Sequence, residues 1–190
     1  PPPTSLTSTR SSVFSTPSMS ARVSRTPVGI CVLMRRTVRL RSGDSGPPRT
    51  PRAWPGAPRL VGADLACKVE NGALARLLET ARQDGNEIMI FVGNRGCVQI
   101  FTGAVEKVVP MKGWLNIFNA AFTLHLLEES IAETWVTRKP TADGHVTSLE
   151  LFAADGTQIA QLYGQRTEGE PEQTQWRSQI DALTLKGLAA

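Results

Sequence analysis

Apolar residues recur with helical spacing in only two places. Leu74, Leu77, Leu78 and Ala81 follow the i, i+3, i+4, i+7 rule, with Asn71 placed to cap the start and Gly85 placed to cap the end. A second stripe, Trp176, Ile180 and Leu183, follows Pro171, a residue suited to a first helical turn. Between them the pattern is that of strands. Residues 87–92 and 97–102 are apolar, β-branched runs separated by the tetrad Gly93, Asn94, Arg95 and Gly96, which predicts a hairpin. Residues 105–109 form a third candidate strand, ended by Pro110. Residues 114–118 are an apolar cluster whose pattern does not decide between structures.

Further strands are predicted at 122–127, 131–138, 145–152 and 157–163. Asp143-Gly144 and Asp155-Gly156 separate the last three, and Asp-Gly between alternating runs is a strong hairpin signal. Tight turns there should set Trp135, Leu149 or Leu151, and Ile159 or Leu162 side by side on consecutive strands. Helix, six or seven mostly antiparallel strands, then helix predicts an α+β fold: a large antiparallel sheet with flanking helices. The runner-up is a partly closed barrel.

Residues 1–59 follow a different grammar. The first 60 residues hold ten of the thirteen prolines and one apolar cluster, Val28 to Leu33, broken by Gly29. Such a segment buries too little apolar surface to offset its ordering entropy and is expected to be disordered. Charge divides the chain at the same point. Residues 1–60 carry ten Arg, no Lys and one acid, a net of +9, whereas residues 61–190 carry 11 basic against 16 acidic residues, a net of −5. Lys, Glu, Gln, Asn, His and Tyr are all absent from residues 1–60 and Asp44 is the one Asp. Those seven types share adenine as second codon base, so an out-of-frame reading of GC-rich DNA accounts for the segment. Translation of the other two frames tests this.

Several function classes are disfavoured. No run reaches the roughly 20 apolar residues of a membrane helix, so a soluble protein without a membrane partner is expected. Ten arginines without interleaved aromatics offer at best salt-sensitive phosphate contact, which makes a basic-tailed nucleic-acid-binding module a minor alternative. Ten prolines oppose the amphipathic helix of a transit peptide, and Arg35 and Arg36 replace a signal-peptide cleavage site. Cys31, Cys67 and Cys97 are odd in number, widely spaced and without a C-x-x-C pattern, which fits a reducing cytoplasm. No phosphate loop occurs, Ser148 lacks the glycines of a nucleophile elbow, and Gly93 to Gly96 lacks dinucleotide spacing. His125 and His145 lack an H-E-x-x-H partner and read as strand-face or turn histidines.

Six stretches carry a resemblance: DLACK (64–68), IMIFVGNRGCVQI (88–100), GWLN (113–116), WVTRKP (135–140), VTSLELF (146–152) and QLYGQR (161–166). Together they resemble the C-terminal repeat of bacterial HemS-type haemin-utilisation proteins over residues 60–190. The resemblance implies one α+β unit of a tandem pair, haem as cofactor, and a cytoplasmic role in haem trafficking, with haem handed to an accepting or degrading protein. It also implies propionate and rim contacts at Lys139, Gln161, Tyr163 and Arg166. Gln161 and Tyr163 share a strand face by period-two alternation, and Gly164 would allow a bulge or strand end that re-aims Arg166. Arg166 offers a planar fork and Lys139 a point charge for a carboxylate; apart from the resemblance, both read as ordinary surface cations.

The sequence departs from the family at the iron. The family's axial histidine precedes the stretch matching 60–68, where this chain reads RTPRAWPGAP (49–58), with no histidine and three prolines that oppose a helix. The expectation is a truncated remnant that keeps the sheet and the propionate wall without the axial ligand. That disfavours catalysis by this chain, leaving a haem-degrading, oxygenase-like fragment as the alternative.

Overall fold

A computed structural model of the chain describes residues 23–25, 30–34, 57–93, 98–142, 144–167 and 169–187. In chain order its elements are β1 (Val23–Arg25), β2 (Ile30–Met34), α1 (Ala57–Leu60), β3 (Ala66–Val69), α2 (Ala73–Asp84), β4 (Glu87–Gly93) and β5 (Val98–Ala104). They continue with β6 (Val108–Met111), β7 (Trp114–Phe118), β8 (Phe122–Leu127), β9 (Glu133–Thr141), β10 (Gly144–Phe152), β11 (Gln158–Gly164) and α3 (Thr174–Gly187). This is the expected α+β arrangement. Its antiparallel strands form two sheets, six-stranded in the order β3-β9-β10-β11-β4-β5 and five-stranded in the order β1-β2-β8-β7-β6.

Both expected Asp-Gly hairpins are present, joining β9 to β10 and β10 to β11. Asp143 and the turn at 94–97 lie outside the described residues. At the second hairpin the Asp155 carboxylate accepts from the Thr157 backbone N–H at 2.9 Å, and Gly156 adopts φ 79°, a value glycine tolerates without strain. Leu149 faces Val136 on one side and Leu162 on the other, but Trp135 stands opposite Glu150 instead of a leucine. Trp135 therefore lies on the sheet face away from the leucine core, because the β9–β10 register pairs odd-numbered residues with even-numbered ones.

The α2 stripe is buried as its spacing predicts, and Gly85 ends the helix in the left-handed region with its N–H on the Ala81 carbonyl at 2.9 Å. The expected Asn71 cap does not form; Gly72 occupies that position. Asn71 instead donates to the Ile131 carbonyl at 2.7 Å and accepts from the Thr134 hydroxyl at 3.0 Å, fastening the approach to α2 onto the start of β9. Helices α2 and α3 cover one face of the six-stranded sheet. There Leu77, Leu78, Leu149, Leu151, Leu162, Ile88, Trp176 and Ile180 form the core, joined by Leu115, Ile117, Leu124 and Leu126 from the five-stranded sheet.

The predicted strand at 105–109 is displaced. The chain bends at buried Val105, and β6 runs through Pro110 to Met111. Proline, which has no N–H to donate, is tolerated there because β6 is an edge strand of its sheet among the described residues. The undecided cluster 114–118 is β7, reached from β6 through Lys112 and Gly113, both at positive φ, as a two-residue hairpin turn requires. From the apolar cluster before residue 60, β2 pairs along β8, Ile30 opposite Leu126 through Met34 opposite Phe122.

Candidate functional site

Alternation along the six-stranded sheet gives it a second face, turned away from α2 and α3. Trp135, Thr137 and Lys139 of β9 share it with Ser148 and Glu150 of β10, since Thr137 is opposite Ser148 and Trp135 opposite Glu150. Gln161 and Tyr163 of β11 stand opposite Glu150 and Ser148 on the next strand, and Phe91 of β4 stands opposite Gln161. Three of the four anticipated site residues, Lys139, Gln161 and Tyr163, are thus on one face and in contact. The Lys139 ammonium donates to the Tyr163 hydroxyl at 3.0 Å, and that hydroxyl donates to the Gln161 carbonyl oxygen at 3.4 Å. The Phe91 ring meets the Tyr163 ring edge to face at 5.5 Å.

Arg166 is placed differently. Strand β11 ends at Gly164, so Arg166 follows in the connection to α3, half-buried and without an ion pair or hydrogen bond among the described residues. The strand ends without a bulge at this point, because Gly164 stays in register with Ile88. Glycine is required there for another reason. A Cβ would lie 2.6 Å from Trp176 Cγ, so α3 could not close against the sheet.

The site also contains Glu150, which the sequence reasoning passed over. It is 6 % exposed, and its carboxylate accepts from Lys139 Nζ at 2.7 Å, Thr137 Oγ1 at 3.0 Å, Ser148 Oγ at 3.0 Å and Gln158 Nε2 at 2.8 Å. A buried charge held by this many donors is a satisfied one. Its signal was available: Ser148 and Glu150 are polar at alternate positions interleaved with Leu149 and Leu151, the mark of a polar patch on one sheet face. Partial burial pulls the Lys139 pKa down, but the Glu150 charge and hydrogen bond, together with the Tyr163 hydroxyl, outweigh it and raise the pKa above the usual lysine value. Lys139 is therefore a fixed cation at neutral pH.

Apolar surface lies beside this polar cluster. Trp135, Phe152 and Ala66 form a small separate cluster on the same face but are buried, whereas Ile100, opposite half-buried Phe91, is 43 % exposed. The Trp135 indole N–H is tied to Glu133 at 3.0 Å, and Glu133 also pairs with Lys68. The accessible part of this face therefore combines the Phe91 ring and Ile100 with an ammonium, a phenol and an amide, groups able to meet an apolar ring and a carboxylate. A groove of about 440 Å³ lies elsewhere, between α2 and α3, on the helix-covered side. His145 is exposed at the start of β10, and His125 lies on β8 of the other sheet. Among the described residues no three His, Cys, Asp or Glu side chains come together as a metal site. No described helix is long and apolar enough to cross a membrane.

Fold and surface together define an α+β protein whose sheet face opposite α2 and α3 carries a polar cluster with a fixed cation beside apolar side chains. Residues 56–183 match the Haemin-degrading HemS.ChuX domain, and the chain belongs to that family. It is 70% identical over 132 residues to the Hemin transport protein HemS of Yersinia enterocolitica, covering 70% of this chain and 38% of the relative. ChuS, described as an E. coli heme oxygenase, superposes with a TM-score of 0.65 at 81% identity, over 66% of this chain and 38% of its own. Holo-PhuS, a heme-binding protein from Pseudomonas aeruginosa, superposes with a TM-score of 0.67 at 44% identity, over 69% of this chain and 38% of its own. The chain thus spans 38% of the length of the curated relatives it matches.

Proposed function

We propose that residues 60–190 bind haem on the face of the six-stranded sheet turned away from α2 and α3, in cytoplasmic haem trafficking. The porphyrin rings lie against Phe91 and Ile100, Lys139 and Arg166 meet the propionates, and Tyr163 and Gln161 hydrogen-bond the rim. The supporting observation is the contact chain Lys139–Tyr163–Gln161, which sets a fixed cation beside apolar sheet surface. Haem supplies an iron centre when bound; residues 49–58 contain no histidine to ligate it, so affinity rests on the rim and the walls.

Haemin titration of the full chain, followed by its Soret band, tests the reading. Arg166→Ala should weaken binding roughly ten- to a hundredfold, the equivalent of a charged hydrogen bond worth about 1.5 to 3 kcal/mol. Affinity unchanged from the parent chain in both Arg166→Ala and Lys139→Ala would remove the sheet face as the site. A haem-degrading role is the second reading, favoured by the 81% identity to ChuS. Conversion of bound haemin to a ring-opened product in the presence of a reductant and oxygen would support it. The receiver in trafficking would be a haem-accepting or haem-degrading protein.

A further inference from the structure

We infer that His125 is a second attachment point for a metalloporphyrin, separate from the six-stranded sheet, binding the metal through Nε2 on the outer face of the five-stranded sheet. Alternation places it there. Phe122, Leu124 and Leu126 of β8 are in the core, so Thr123, His125 and Leu127 have the opposite parity. On β7 the register sets Asn116 directly opposite His125.

Asn116 decides which ring nitrogen is available. It is 2 % exposed, and its amide group donates to the Val109 carbonyl at 2.8 Å and the Trp114 carbonyl at 3.3 Å. With the amide hydrogens committed, its carbonyl oxygen faces His125 Nδ1 at 2.6 Å and must accept, so Nδ1 carries the proton. In the neutral ring the lone pair therefore belongs to Nε2, the nitrogen then able to bind a metal. A buried carbonyl on the other ring nitrogen is the usual outer support of a metal-bound histidine. Phe118 holds the ring from the side, edge to face at 5.6 Å and 72°.

The surroundings choose the class of metal. One nitrogen does not hold a bare ion, and no cluster of three ligating side chains exists among the described residues. A metal that arrives in a macrocycle with four nitrogens of its own needs only one axial ligand and apolar contact. Apolar contact is present on this face: Met111 is 56 % and Phe118 38 % exposed, with Trp114 and Leu127 half-buried beside them. Lys107 and Lys112, exposed at the two ends of β6 and unpaired among the described residues, are available to carboxylates.

The proposed haem function supplies only the identity of the ligand, and the test separates the two sites. Haemin is titrated into the full chain, His125→Gln, Asn116→Leu and Arg166→Ala, with ligation read by electron paramagnetic resonance and resonance Raman spectra, and folding by circular dichroism. The expected result is an axial-histidine signature in the parent chain that survives Arg166→Ala and is lost in His125→Gln, whose amide can still pair with Asn116. Asn116→Leu should keep the signature but weaken that site roughly tenfold or more. A histidine signature that persists in folded His125→Gln, or its absence from the parent chain, overturns the inference. Haemin binding that is weakened by Arg166→Ala but indifferent to His125→Gln would leave the sheet-face reading standing alone.

Discussion

Gly164 sits where the sheet meets α3, and adding one methyl group there should be among the costliest small changes in the chain. A Cβ at Gly164 would lie 2.6 Å from Trp176 Cγ, 2.8 Å from its Cβ and 3.0 Å from Cδ1, far inside van der Waals contact. Rotating the indole cannot relieve the clash, because the Trp176 Cβ is fixed by the helix backbone. The helix itself must retreat, and Trp176 is fully buried with its indole N–H on the Thr147 carbonyl at 3.1 Å. Overpacking of this kind costs about 1 to 3 kcal/mol. Loss of the Thr147 hydrogen bond would add about 0.5 to 1.5 kcal/mol, so a destabilisation of about 3 kcal/mol is expected for Gly164→Ala. Urea unfolding followed by circular dichroism should show a midpoint lowered by about 1 M or more at unchanged slope, given a slope of about 1 to 3 kcal/mol per M. In a Trp176→Ala background the ring clashes and the Thr147 hydrogen bond are already gone while the contact with the helix Cβ stays, so the same substitution should cost less than in the parent chain, with a coupling energy of about 1 kcal/mol or more. Additive effects of the two substitutions, or an unchanged midpoint in Gly164→Ala alone, would refute the steric account.

Other expectations concern charge. Lys139 has a raised pKa, so the stability it contributes is present below the ordinary lysine value near 10.5 and is lost as pH rises through its higher folded value. Unfolding midpoints of the parent chain and Lys139→Met should differ at neutral pH and converge at strongly alkaline pH; Glu150→Gln should bring the Lys139 titration, read by NMR, to lower pH. Glu79 is held at a pKa of about 2 by hydrogen bonds from Arg82 and Gln83. Its contribution is therefore present above about 4.5 and disappears as pH falls through about 2. The Glu79 carboxyl resonance should still report an ionised group at pH 3.5, and Arg82→Ala should move that titration upward. Gly85→Ala should cost about 1 kcal/mol in thermal unfolding, because φ 69° suits glycine and strains alanine.

The parts of the fold that could be read from sequence are those governed by local rules. The α2 stripe ending at Gly85 and the two Asp-Gly hairpins need only their own residues. What escaped depends on distant partners. Asn71 has the chemistry of a helix cap, yet its amide is taken by Ile131 and Thr134, sixty residues away, and the cap position falls to Gly72. The 114–118 cluster resolves as a strand only because β6 and β8 flank it. Division into two sheets was invisible for the same reason, since strand count and spacing do not say where a chain bends between layers.

The site divides along the same line, and the division bears on which cation should matter more. Gln161 and Tyr163 could be paired by strand parity, but Lys139 joins them only through the β9–β10 register, and with it comes Glu150. That carboxylate already holds the Lys139 ammonium at 2.7 Å, while Arg166 has no ionic partner among the described residues. A propionate approaching Lys139 must share one ammonium with a buried anion that Thr137, Ser148 and Gln158 hold in place. Part of its attraction is cancelled before it arrives. A propionate approaching Arg166 meets an uncompensated guanidinium able to bind both oxygens. On the proposed reading, Arg166→Ala should therefore weaken haemin binding more than Lys139→Ala does, and Glu150→Gln should strengthen it by freeing the ammonium. Haemin affinity that falls in Glu150→Gln, with Lys139 still charged, would mean that the carboxylate positions Lys139 for the ligand instead of competing with it.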